Sequence, residues 1–357
     1  MLELNSLLSK PLKVREIETY PPLLLAPMSG VTNSAFRRLI RRKNPGTVGL
    51  VVTEFISIEA LTRQVKRSLE MMRFAEEERP IAIQIFGYDI NRMCEAAKIA
   101  EQAGAEIVDI NSGCPAPKVV RKGGGCELMR QPEHIGKILE AVSKSISVPL
   151  TLKFRSGWDD KCRNAVEVAR IAEACGVQMV TVHGRTRVQL YRGLADYEIV
   201  NEVVNAVSIP VVGSGDIVDR ASAAVRAKSG IAGLMIGRGA LENPWVFNDI
   251  VHGEVPRKAT EIPDVMIEYM ELLQEELPEK AVIGKMKQFA SQVTKTIRGS
   301  AEVRRELCRC PDTQGQREIL ALWRKKLEDS DETILPASER APSTVGIPSP
   351  VEESAPL

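Results

Sequence analysis

Cys114 stands between Gly113 and Pro115 and is followed by Lys118, Arg121, Lys122 and three glycines, Gly123, Gly124 and Gly125. A cysteine usually fills an apolar core, and Cys94 and Cys175 on helical faces suit that use. A glycine-flanked loop offers little apolar packing, so Cys114 reads as a chemical group. Its basic neighbours favour thiolate, whereas a proton donor must be a thiol when it acts. Lys153 lies near the end of an otherwise apolar run, VPLTLKF (148–154), where an ammonium is costly unless it meets an anion. A reduced flavin is such an anion, because hydride gain leaves charge at its N1–C2=O edge. A Schiff-base lysine is the alternative, and a yellow protein would separate the two. Gly213, Ser214, Gly215 and Asp216, with Gly237 and Arg238, form two glycine turns that let backbone N–H groups approach phosphate oxygens while Arg238 adds a charged fork. Plain strand-end turns are the competing reading.

These residues share a position relative to the elements that carry them. Short apolar runs at 23–28, 50–55, 81–86, 106–110, 148–154, 178–183, 209–214 and 232–237 read as buried parallel strands. Helical patterns such as 91–104 and 164–176 lie between them and stop at glycine. Eight β-then-α units over residues 20–255 predict a (β/α)8 TIM barrel, with an open doubly wound sheet as the competitor. In a barrel the chemistry collects where the strands end. There the chain carries Pro27, Met28 and Ser29, then Gln84, then Asn111 to Cys114, Lys153 with Arg155, His183 with Arg185, and the two glycine turns. Loops after the seventh and eighth strands often hold phosphate in such barrels, which favours the phosphate reading of those turns.

After Pro256 only helical patterns follow, at 264–277, 281–298, 300–309 and 313–329, which predicts a small all-helical C-terminal domain over 256–330. Residues 1–19 read as an N-terminal extension. From about 331 the chain is rich in Pro, Ser and Glu without periodicity, which predicts a disordered tail. The 357 residues are 44% apolar and 27% charged, with a formal net charge of +1, so bulk charge announces no nucleic-acid partner. No run approaches the roughly 18 apolar residues of a membrane helix. The N-terminus has charges where a signal peptide would be apolar, so a cytoplasmic protein without a membrane partner is expected. Seven scattered cysteines argue against a disulfide framework, and Cys308-x-Cys310 lacks partners at zinc spacing, so no metal is expected.

Taken together, APMSGVTNSAFR (26–37), QIFG (84–87), DINSGCPAPKVVRKGGGCELM (109–129), LKFRSGW (152–158), TVHGRTR (181–187) and MIGRGALENPWVF (235–247) resemble the tRNA-dihydrouridine synthases, most of all the bacterial B-type branch. QFASQVTKTIRG (288–299) and VRREL (303–307) carry a weaker resemblance to that family's C-terminal domain. The resemblance implies an FMN-bound barrel that reduces the C5=C6 bond of particular tRNA uridines with NADPH as electron donor. Pro27, Met28, Ser29 and Gln84 would contact the isoalloxazine, Lys153 and His183 would hydrogen-bond it, and Ser214, Gly215, Asp216, Gly237 and Arg238 would grip the phosphate. Hydride would pass from flavin N5 to uracil C6, with Cys114 protonating C5. Asn111, Arg155 and Arg185 are the candidates to orient the base. Two departures are visible: the family commonly has asparagine where Ser214 stands and methionine where Ser112 stands.

Local charge points to an RNA partner. Residues 261–279 hold seven acidic residues and no basic one, while 280–310 hold eight basic residues and two acidic ones. Lys295, Arg298, Arg304 and Arg305 in that stretch are candidate tRNA-binding residues, joined by a basic cluster on the first barrel helix (Arg37, Arg38, Arg41, Arg42, Lys43). A solvated helix surface is the alternative. The chain is expected to act as a monomer. Two rival functions remain at this point: an FMN barrel reducing a free small molecule, which would not need the basic helical region, and a non-enzymatic RNA-binding module.

Overall fold

Eight parallel strands close on themselves in a computed structural model of the chain, which describes residues 1–295, 297, 299–330 and 332–334. The strands are β1 (Leu23–Leu25), β2 (Leu50–Val52), β3 (Ile81–Phe86), β4 (Ile107–Ser112), β5 (Leu150–Gly157), β6 (Met179–Thr186), β7 (Val211–Ser214) and β8 (Gly233–Ile236). Each pairs with its neighbour in sequence, β8 pairs with β1, and β2 resumes briefly at Ile56–Ser57 beside β3. The helices that follow the strands are α1 (Ser34–Lys43), α2 (Ile58–Thr62), α3 (Ile90–Gln102), α4 (Pro132–Ser143), α5 (Ala165–Ala174), α6 (Glu198–Ala206), α7 (Arg220–Ala227) and α8 (Val246–His252). The fold is a TIM barrel, as the strand count predicts.

Strand alternation sorts the side chains into two cores. Ile83, Ile85, Val108, Ile110, Leu152, Phe154, Val180 and Val182 face outward and join the helices in one large apolar cluster. Leu24, Ala82, Ile107, Met179, Val212 and Met235 face inward and form a separate, smaller cluster with Leu12 and Val14. Those last two residues belong to an antiparallel hairpin, Leu12–Val14 with Ile17–Thr19, so the segment read as a mere extension closes the barrel floor. Above the apolar floor the inward positions turn polar: Asp109 and Thr151, then Gln84, Asn111, Lys153 and Thr181, then His183, Arg155 and Ser214.

The C-terminal helices are α9 (Glu261–Gln274), α10 (Glu279–Val293), α11 (Ser300–Arg309) and α12 (Thr313–Ser330). They share the outer core with the barrel. Phe36 of α1, Tyr269 of α9 and Phe289 of α10 pack edge to face, with ring centroids 4.8–6.1 Å apart.

Two expectations are corrected here. The cationic cluster on α1 is engaged within the protein rather than standing as free charge. Arg37 is buried against Glu78 at 2.5 Å, and Arg41 donates to three backbone carbonyls. Arg38 bridges Glu77 and Glu275, both at 2.6 Å, while Arg42 pairs with Glu77 and Lys43 with Glu268. The cluster therefore joins α1 to a neighbouring loop and to α9. Within the stretch expected to be a disordered tail from about 331, Thr333–Ile334 instead pairs antiparallel with Arg257–Lys258. Residue 331 and residues 335–357 lie outside the described residues. Among the described residues no helix is long and apolar enough to cross a membrane.

Candidate active site

The strand ends gather fifteen of the candidate residues at one mouth: Pro27, Met28, Ser29, Gln84, Asn111, Cys114, Lys153, Arg155, His183, Arg185, Ser214, Gly215, Asp216, Gly237 and Arg238. Adjacent strands put some of them side by side. Asn111 is in register with Lys153, Arg155 with His183, and Ser214 with His183. Lys153 and His183 stand inside the wall yet are only half-buried, as are Met28, Gly215, Gly237 and Arg238, so open space reaches down to them.

The charges around that space are unbalanced. Arg155, Arg185, Arg238 and Lys153 converge there. Asp216 is the acidic partner at the rim, 2.7 and 2.8 Å from Arg185 and 3.4 Å from Arg238. Burial brings the Lys153 ammonium down to about 8, with Arg155 adding to the shift and Asp109 opposing it. Burial and then the surrounding cations hold His183 well below the usual histidine value, so its ring is neutral. Arg185 Nη1 lies 3.4 Å from His183 Nε2. An arginine only donates, so Nε2 accepts and Nδ1 carries the proton.

The Cys114 loop is more tightly packed than a glycine-rich stretch suggests. Cys114 is 8% exposed, and its carbonyl accepts from Cys126 N–H at 3.1 Å. A side chain at Gly125 (φ +57°) would place Cβ 2.5 Å from the Cys114 carbonyl oxygen, so glycine is required for this closure. Asn111 Oδ1 accepts from the N–H groups of Gly113 at 3.2 Å and Cys114 at 2.9 Å. Burial pushes the thiol of neighbouring Cys126 up to about 12, which makes it an inert core cysteine. None of the seven cysteines forms a disulfide.

Arg155 and Arg185 serve the loops as well as the mouth. Arg155 donates to the carbonyls of Gly113, Thr186 and Leu190 at 2.8–3.0 Å, and Arg185 donates to that of Gly193 at 2.6 Å. Both are nearly fully buried. Two residues not singled out from the sequence belong to the same region. Tyr191, exposed in the loop after β6, lies 5.7 Å from Arg155 and 4.8 Å from Arg238, ring centroid to guanidinium. Asp109 sits beneath the mouth with its carboxylate buried.

The remaining candidates lie apart, in the helical region. Lys295 is exposed and pairs with Glu242 at 3.2 Å, and Arg305 is exposed on α11. Arg304 is half-buried and turns Nη1 inward to the hydroxyls of Thr294 and Ser300, at 2.8 and 2.7 Å. Arg298 lies outside the described residues.

The donor set fits an anionic, partly aromatic ligand: four cations face two carboxylates, Met28 and Ala26 line one wall, and the buried Thr181 hydroxyl beside Lys153 has no protein partner. The family described as dihydrouridine synthase (Dus) matches residues 24–330. A probable tRNA-dihydrouridine synthase of Rickettsia bellii is 40% identical over 301 residues, covering 82% of this chain and 91% of that protein. The tRNA-dihydrouridine synthase B of Pseudomonas putida is 38% identical over 321 residues, covering 87% and 94%. Among solved structures, a 2-naphthoyl-CoA reductase complex superposes with a TM-score of 0.52 at 14% identity, covering 69% of this chain and 52% of that one, which is a likeness of fold alone.

Proposed function

This chain belongs to the dihydrouridine synthase family, and from that premise we propose that it reduces the C5=C6 bond of tRNA uridines, with FMN seated in the barrel mouth, NADPH as electron donor and Cys114 as proton donor. The observation that carries the reading is the convergence of Lys153, Arg155, Arg185 and Arg238 on a half-open space beside the Cys114 loop. FMN, once bound and reduced by NADPH, would supply the hydride. The chain's own residues do the rest. Lys153 offsets the negative charge of a reduced isoalloxazine, and His183 offers a neutral N–H donor. Gly215, Gly237 and Arg238 face the phosphate, with Asp216 holding Arg185 and Arg238 in place. Pro27, Met28 and Ser29 would border the ring, Gln84 is fully buried behind them with both amide ends tied to Asn111 and Asp109, and Ser214 stands where the family commonly has asparagine.

Asn111 and Arg155 hold the Cys114 loop through its backbone and stand next to where a base must enter. The Cys114 thiol gives its proton to C5. The thiolate left behind lies within electrostatic reach of Lys153 and Arg155, which stabilise it until solvent returns a proton. A uracil must leave its stack to reach this depth, at a cost of a few kcal/mol that contacts elsewhere on the tRNA offset.

Stopped-flow measurement separates the steps. The Cys114→Ala protein should keep its flavin band near about 450 nm and reduce it with NADPH at the parental rate. Oxidation of that reduced flavin by unmodified tRNA should slow by about 100-fold or more. A Cys114→Ala protein that oxidises at the parental rate would remove Cys114 from the mechanism. Rapid oxidation by free uracil or enoates, and none by tRNA, would instead favour a small-molecule reductase.

A further inference from the structure

A continuous chain of hydrogen bonds runs from the Cys114 loop to the middle of the barrel, and every donor along it leads to the Asp109 carboxylate. The N–H of Cys114 donates to Asn111 Oδ1 at 2.9 Å, and Asn111 Nδ2 donates to Gln84 Oε1 at 2.8 Å. Gln84 Nε2 donates to Asp109 Oδ2 at 2.5 Å, and the Thr151 hydroxyl donates to Asp109 Oδ1. Every member is buried, with Gln84 at 0% exposure and Asp109 at 4%. The N–H groups of Gly113 and Cys114 call for the Asn111 carbonyl from above, while Gln84 carries a donor and an acceptor end and must be matched from below. The carboxylate oxygen facing Gln84 can only accept. It therefore fixes Gln84 with its NH2 downward and its carbonyl upward. That carbonyl then meets the NH2 of Asn111, whose own carbonyl receives the Cys114 backbone.

We propose that Asp109 is a positioning residue that anchors the lower end of the Gln84–Asn111 relay and so holds the backbone of the Cys114 loop in its reactive place. It touches neither the base nor the thiol, and it acts through two amides. The role rests on Cys114 being the proton donor, but its geometry is independent of that chemistry. Burial raises the Asp109 carboxyl above the usual range, while its hydrogen bonds from Gln84 and Thr151 and the Lys153 charge oppose the shift. With a proton on Oδ1 donated to Thr151, Oδ2 stays an acceptor toward Gln84 in the neutral acid as well.

The test uses the FMN-loaded full chain and two readouts: iodoacetamide alkylation of Cys114, followed by peptide mass, and oxidation of the reduced flavin by unmodified tRNA. Removing the acceptor in Asp109→Ala leaves a buried amide unsatisfied and the loop less constrained. Alkylation of Cys114 should accelerate and tRNA-driven oxidation should slow, each by about tenfold. Asp109→Asn should rescue both to within about threefold, since its carbonyl can face Gln84 while its NH2 turns to the Thr151 hydroxyl. The Asp109→Ala/Asn111→Ala double variant should be no worse than Asn111→Ala alone, the signature of residues acting in one path. Unchanged Cys114 alkylation in Asp109→Ala, or losses that multiply in the double variant, would overturn the proposal. If Asp109→Ala does not accumulate folded, Asp109→Ser takes its place, being too short to reach Gln84. Alkylation reads the relay even if Cys114 proves not to be the acid, so failure of that assignment and failure of this one are distinguishable.

Discussion

At the scale of single residues, the mouth is built from groups that cost stability where they stand. Lys153 has a folded-state value of about 8, below the ordinary lysine value of 10.5, because burial outweighs the help of Asp109. Its charged form therefore destabilises the fold below pH 8, and that cost fades as pH rises from 8 to 10.5. For FMN-free protein, Lys153→Met should raise the melting temperature at pH 7 and give a smaller gain at pH 10, while weakening FMN binding measured by fluorescence quenching. A variant that melts below the parent at pH 7 would contradict this account. Cys114, Lys153 and His183 are legible in the sequence because their types are out of place in apolar strands or glycine loops. Asp109 is not, since one acid within EIVDI looks like any solvent-facing strand position until the barrel closes around it. Tyr191 is hidden for another reason: its arginine neighbours come from β5 and from the turn after β8.

Among the elements, periodicity marks the strands, but their upper ends follow pairing that no single segment reveals. The run at 23–28 yields only Leu23–Leu25, because Pro27 to Gly30 leave the sheet to form the mouth, where Gly30 N–H donates to Glu54. By contrast β5 and β6 run on to Gly157 and Thr186, pairing with each other beyond the expected ends. The floor hairpin escapes notice because each of its strands has only three residues. The pairing of the basic face of α1 is hidden for a similar reason, since its acidic partners lie in the loop before β3, on α9 and just past its end. Arg42, and after it Arg38, hold the Glu77 carboxyl down at about 2. A depressed carboxylate stabilises the fold above its ordinary value of 4.5, and the contribution is lost as pH falls toward 2. Thermal melts of Glu77→Gln should accordingly fall below the parent at pH 7 and converge with it near the lower limit. The difference should be modest, because the pair is partly exposed and screened by solvent.

For the whole molecule, the aromatic contacts among Phe36, Tyr269 and Phe289 make the helical region part of the barrel's own core. Lys285 of α10 reaches the carbonyl of Gly30 at the mouth, and Lys295 pairs with Glu242 after β8. Cutting the chain near residue 257 would thus expose apolar surface of α1 and remove a support of the mouth, so truncation cannot separate RNA binding from folding. Point substitutions can. Lys280, Lys295 and Arg305 are exposed and lie outside the shared core, whereas Arg304 is tied inward to Thr294 and Ser300. If these exposed cations neutralise tRNA phosphates, each lost contact should reduce the slope of log affinity against log salt by about one. Filter binding of unmodified tRNA across a salt series should show that loss for Lys295→Ala and Arg305→Ala, with the flavin spectrum and NADPH-driven reduction unaltered. A slope equal to the parent's in the double variant would move the RNA contacts off this region and onto the barrel rim, where Lys118, Arg121 and Lys122 flank the Cys114 loop.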